Sequence, residues 1–176
     1  MGASTTSTGT VRGMKCTTSI EIGVPLERVA RLLSDPANLP MWLRGMVVHE
    51  PVSGAHGEVG TISRVVLRSG KHTMEMTETI TLREPADLSV IRAGTVVRFE
   101  REIEGAGMWS AARERLTAAG PGATLWQSEN EYRFRNPLLR LMTLLLPGAF
   151  RKQQLQHMED FTAFAEQGKD VRDDGA

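Results

Sequence analysis

Four stretches of alternating polarity each place a polar side chain where the alternation calls for an apolar one. In residues 72–82 (HTMEMTETITL), Met74, Met76, Glu78, Ile80 and Leu82 share one face and threonines fill most of the other. Residues 96–104 put Val97, Phe99, Arg101 and Ile103 together. Residues 108–116 group Ser110, Ala112, Glu114 and Leu116, sending Trp109, Arg113 and Arg115 outward, although the size of Trp109 argues for the opposite parity. Residues 124–134 group Trp126, Ser128, Asn130, Tyr132 and Phe134. These faces are expected to point inward. A carboxylate buried alone is very costly, so Glu78 and Glu114 must pair, accept hydrogen bonds or stay protonated, and Arg101 is the natural partner. Two readings stay open. The cluster orients an oxygenated ligand, with Asn130 and Tyr132 as hydrogen-bond donors, or it is a structural ion-pair network or a wet rim of the sheet.

Other candidates for chemistry are few. His157, in a helical stretch, titrates near neutral pH and is a candidate acid or base beside Glu78 and Tyr132. The four histidines (His49, His56, His72, His157) lack the spacing of a metal site, so no metal is expected. The single cysteine, Cys16, excludes an internal disulfide. The chain contains no GxSxG elbow, and Gly105-Ala106-Gly107 lacks the third glycine and the βαβ setting of a dinucleotide fingerprint, so no cofactor is expected. Among the nine methionines, Met74, Met76 and Met158 suit either an adaptable binding wall or ordinary core filling.

The elements that position these residues come from period and punctuation. Residues 15–23 read as a strand ended by Pro25, residues 26–33 as a helix, and residues 36–42 as a second short helix. Strand-like segments then run over 47–53, 61–68, 72–83, 88–104 (broken near Ala93-Gly94), 108–118 and 124–135, separated by short Gly-, Pro- and Asp-bearing turns that favour antiparallel hairpins. Residues 136–167 return to a helical period, which Pro147-Gly148 must kink or break. Phe150, Gln154, His157 or Met158, Phe161 and Ala165 form the face of this helix turned to the sheet.

The whole chain has 176 residues with 21 Lys+Arg against 21 Asp+Glu, enough for one domain and without the basic excess that nucleic acid or anionic membranes attract. Residues 1–13 (MGASTTSTGTVRG) read as a disordered leader without the apolar core of a signal peptide, residues 14–167 as the domain, and residues 168–176 as a flexible tail. Leu138 to Leu146 (LLRLMTLLL) is too short to span a bilayer; it could be a cavity portal or a transient membrane contact, or else core packing with a dimer contact. A cytoplasmic protein, monomeric or homodimeric, is expected.

The order strand, two short helices, antiparallel strands, long helix, together with Val24-Pro25-Leu26-Glu27-Arg28-Val29, Leu33-Ser34-Asp35-Pro36-Ala37-Asn38-Leu39-Pro40-Met41-Trp42 and the C-terminal helical stretch, resembles the START-like (SRPBCC, helix-grip) superfamily, in its polyketide cyclase/dehydrase-like branch. The resemblance implies an α+β fold: a curved antiparallel sheet of six or seven strands wrapped around the C-terminal helix, with a deep, mostly apolar cavity between them. It implies binding or carriage of a lipid-, polyketide- or isoprenoid-like molecule. The alternatives are a cyclase/dehydrase/aromatase-type enzyme, in which Arg101, Asn130 and Tyr132 stabilise an enolate, and a protein-interaction module. The candidate lining is Trp42, Met74, Met76, Glu78, Phe99, Arg101, Glu114, Trp126, Asn130, Tyr132, Phe150 and Met158.

Overall fold

Alternating strands with short turns zip into sequential hairpins, and the sheet they build leaves one apolar face to be covered. The computed structural model describes residues 13–92, 94–105, 107–137 and 147–173. The elements are β1 (Met14–Ile22), α1 (Leu26–Ser34), α2 (Leu39–Trp42), β2 (Met46–Ser53), β3 (Ile62–Ser69), β4 (His72–Glu84), β5 (Val97–Gly105), β6 (Met108–Gly120), β7 (Ala123–Phe134) and α3 (Pro147–Gln167). Among the described residues the strands form one antiparallel seven-stranded sheet in the order β1-β7-β6-β5-β4-β3-β2. Only the β1–β7 pairing joins strands distant in sequence, bringing the first strand beside the last. This is the curved sheet with two short helices and a long C-terminal helix that the sequence resemblance implied.

The helices cover the inner face. Pro25 caps α1 through its carbonyl, which accepts from the N–H groups of Arg28 and Val29, and the helix buries Leu26, Val29, Ala30 and Leu33. On α3, Met158 and Phe161 are fully buried and Ala165 nearly so. Phe161 stands edge-on to both Trp42 and Trp126, with ring centroids 5.2 Å apart in each case. Between the two tryptophans, Phe161 joins α2, α3 and β7 into one core. Arg44, after α2, grips Asp160 of α3 with two hydrogen bonds of 2.7 and 2.9 Å. Beyond α3, the Val171 N–H donates to the Met41 carbonyl at 2.8 Å.

Three departures from simple alternation matter for the site. The expected strand over 88–95 is absent: Asp87 accepts from the Ser89 N–H at 2.8 Å and starts a 3-10 turn, Leu88–Val90, and Gly94 then takes a φ of +83°, so pairing begins only at Val97. In β2 the register shifts between Met46 and Val48, so Met46 lies opposite Leu67 and His49 opposite Val65. In β4 it shifts between Ile80 and Leu82, so Ile80 lies opposite Arg101, Leu82 opposite Glu100 and Arg83 opposite Phe99. Strict alternation across 72–82 therefore fails at Leu82, because each shift inserts one unpaired residue and reverses the facing of the residues beyond it. His49 and Arg83 are thereby turned to the inner face. Leu138 to Leu146, read as a portal or membrane contact, lies outside the described residues.

Candidate ligand cavity

Between α1, α2 and the inner face of β2–β6 lies a cavity of about 70 Å³, several times the room one water needs. Leu33, Leu39, Ile80 and Phe99 give it apolar walls, with Leu82 at its margin beside Glu100. His49, Glu78, Arg83, Arg101 and Glu114 supply charge and hydrogen bonds, and the loop residues His56 and Gly57 close one side.

Glu78 is the hub. Its Oε1 lies 2.9 Å from His49 Nε2, and its Oε2 lies 3.7 Å from Arg101 Nε. The Glu78 and His49 side chains are about 10% and 8% exposed. Burial pushes the Glu78 carboxyl up, but the hydrogen bond from His49 and the charges of Arg101 and His49 outweigh it and hold the group below the ordinary carboxylate value. With Nε2 turned to Glu78, the other ring nitrogen of His49, Nδ1, is buried and has no partner. The His56 ring stacks near His49, centroids 6.1 Å apart.

Glu114 is built differently. Its oxygens accept from Trp126 Nε1 at 2.6 Å and from Ser128 Oγ at 3.1 Å. Ser128 in turn accepts from Asn130 Nδ2 at 2.9 Å and from Gln154 Nε2 at 3.0 Å. Burial dominates and raises the Glu114 carboxyl above its usual value, against the opposing Arg101 charge and the two donors. The Arg101 guanidinium therefore faces two carboxyl groups of opposite tendency. Its charge also acts on Tyr132 and His157.

Of the candidates read from sequence, Glu78, Phe99, Arg101 and Glu114 line this cavity. Met76 is buried on the same face, opposite Val65. Trp42, Trp126 and Met158 belong to the core, Met158 Sδ accepting from Thr18 Oγ1 at 3.2 Å. Asn130 is engaged by Ser128. Tyr132 packs on Phe150, centroids 5.0 Å apart, and burial pushes its hydroxyl well above the ordinary range. Met74 and His157 line a second opening of about 490 Å³ between β3–β4 and α3, with Arg44, Arg68 and Lys152. Burial holds His157 below its usual pKa, opposed by Asp160 and reinforced by Arg101 and Arg44.

The sequence reading missed His49 and Arg83. Arg83 Nη1 donates to the Gly57 carbonyl at 2.7 Å, while its Nε is buried without a partner. In both strands the step between inner positions is three residues, Met46 to His49 and Ile80 to Arg83, in place of two, and the sequence carries no signal of it. Among the described residues no cluster of three His, Cys, Asp or Glu is placed to hold a metal. Nor is any described helix long and apolar enough to cross a membrane.

Comparison with known proteins agrees with this architecture. Residues 14–163 match the model of a family described as polyketide cyclase / dehydrase and lipid transport. No curated protein matches the chain in sequence. Among solved structures, the Zhui aromatase/cyclase from Streptomyces sp. R1128 superposes with a TM-score of 0.68 at 11% identity, covering 89% of this chain and 95% of its own. Truncated norcoclaurine synthase from Thalictrum flavum gives 0.64 at 14% identity, covering 89% and 95%. Ara h 8.0201 gives 0.64 at 13% identity, covering 88% and 98%. At these identities the likeness is one of fold.

Proposed function

Since the chain belongs to the polyketide cyclase / dehydrase and lipid transport family, we propose that it binds and carries a hydrophobic small molecule with an oxygenated end, of lipid-, polyketide- or isoprenoid-like character. The observation that carries this reading is the cavity itself, where the apolar walls of Leu33, Leu39, Ile80 and Phe99 converge on the His49–Glu78–Arg101 cluster. Apolar burial supplies affinity and a few fixed polar groups supply orientation. Mass spectrometry of an organic extract of the purified protein tests it. The expected result is a co-purifying hydrophobic molecule that disappears in Ile80→Trp, where an indole fills the cavity. An extract identical in the two proteins contradicts it.

A second reading, an enzyme of the cyclase/dehydrase type, is favoured by one observation, the unpartnered His49 Nδ1. With Glu78 orienting the ring, this nitrogen would take a proton from a carbon beside a ligand carbonyl, while Arg101 stabilises the developing oxyanion. The relatives named an aromatase/cyclase and a synthase are consistent with it. Turnover of a poly-β-keto analogue that is lost in His49→Ala, with probe binding retained, supports this reading over carriage alone.

A further inference from the structure

Of the two guanidinium groups lining the cavity, one has a carboxylate partner and the other has none among the described residues. Arg101 meets Glu78 at 3.7 Å, and Glu100, at the margin, meets Arg113 at 4.0 Å. Glu114 is satisfied by Trp126 and Ser128, and its carboxyl is biased toward the neutral form. Arg83 alone among the lining guanidinium groups has no carboxylate within ion-pair distance among the described residues; it donates instead to the neutral Gly57 carbonyl. The Nε atoms of both Arg83 and Arg101 are buried and lack acceptors. Buried donors on permanently charged groups are costly to leave unpaired, and a planar anion with two oxygens is what the guanidinium fork matches best.

The sheet places the two arginines together. Arg83 lies opposite Phe99, and Arg101 comes two residues after Phe99 on the same face of β5. They are diagonal neighbours, with Cα atoms roughly 7–8 Å apart, within reach of long side chains. The register shift before Leu82 creates this juxtaposition, since regular alternation would leave Arg83 on the outer face.

We propose that the ligand of this cavity is a carboxylate-bearing hydrophobic molecule, its carboxylate held by Arg83 with Arg101 as second donor and its apolar body against Phe99, Ile80 and Leu39. This rests on the small-molecule reading above and narrows it to an acid. Glu78, already engaged by His49 and Arg101, keeps Arg101 oriented.

The test compares 2-naphthoate with its neutral isostere 2-naphthamide by isothermal titration calorimetry near neutral pH. The wild-type protein is expected to bind the acid roughly tenfold or more tighter than the amide. Arg83→Met is expected to bring that ratio to about one while the amide affinity stays within about twofold, since only the ionic contact is lost. Because Arg83→Met also frees the Gly57 carbonyl, Arg83→Lys serves as a second variant that keeps the charge; it should retain part of the preference. Equal affinity of acid and amide for wild type overturns the carboxylate assignment and leaves small-molecule binding standing. A preference unchanged in both variants overturns the role of Arg83. Binding of neither probe to wild type counts against both the assignment and the binding reading.

Discussion

Glu78 and Glu114 sit on one face of one sheet and respond oppositely to their surroundings. Glu78 is held below its ordinary value by His49 and Arg101, so the stability it contributes is present above about pH 4.5 and is lost as pH falls through its folded value. Glu114 is raised by burial, so the native state holds its proton more tightly; that contribution is complete below about pH 4.5 and is lost as pH rises through its folded value. Replacement by glutamine removes each titration. In urea unfolding, Glu78→Gln should therefore lose more relative to wild type near pH 7 than near pH 4, and Glu114→Gln more near pH 4 than near pH 7. Gaps that move with pH in the same direction for both variants contradict the assignment. A separate prediction concerns the pair itself. Glu78→Ala takes the hydrogen-bond partner from His49 and the ion-pair partner from Arg101 and should cost about 2 kcal/mol or more, and Glu78→Gln less because its amide oxygen still accepts from His49.

At the scale of elements, the helices are held by a few large contacts and the strands by regular register interrupted where it matters. Phe161 is fully buried between Trp42 and Trp126, so Phe161→Ala should cost roughly 3–5 kcal/mol, read as a shift in the urea midpoint. Gly45 takes a φ of +80°, and a Cβ there would come within 2.2 Å of the Arg68 carbonyl oxygen. Gly45→Ala must therefore strain or part the start of the β2–β3 ladder, costing about 2 kcal/mol or more by the same measurement. The facing of β5, β6 and β7 was legible because the β5–β6 pairing runs in register from Val97 to Gly105 and the β6–β7 pairing shifts only near Gly120. Alternation thus placed Arg101, Glu114 and Asn130 on the inner face and Trp109 outside, where the Arg133 guanidinium lies 4.4 Å from the centre of its ring. His49 and Arg83 were not legible, because a single inserted residue reverses the period and nothing in MVVHE or ITLRE announces it. Leu88–Val90 was misread for a different reason: its apolar residues suit a strand, but the Asp87 side chain caps a turn instead.

At the scale of the molecule, the order of elements identified the architecture, since a single antiparallel sheet with one apolar face needs a long helix to cover it. The site was less legible because alternation reports which face a residue occupies and not how far along the strand the cavity extends. Tyr132 is on the inner face yet packs on Phe150 at the far end of β7, and Met74 and His157 open onto the second cleft. What remains at the centre is a compact cavity in which apolar walls meet His49, Glu78, Arg83 and Arg101. The most direct test of that cavity as the binding site is amide and methyl chemical-shift mapping by NMR during titration with 2-naphthoate. Saturable shifts are expected at His49, Ile80, Leu82 and Phe99, with Phe134 and Val52 unmoved. Shifts confined to the cleft around Met74 and His157, or no saturable shifts at all, would contradict it.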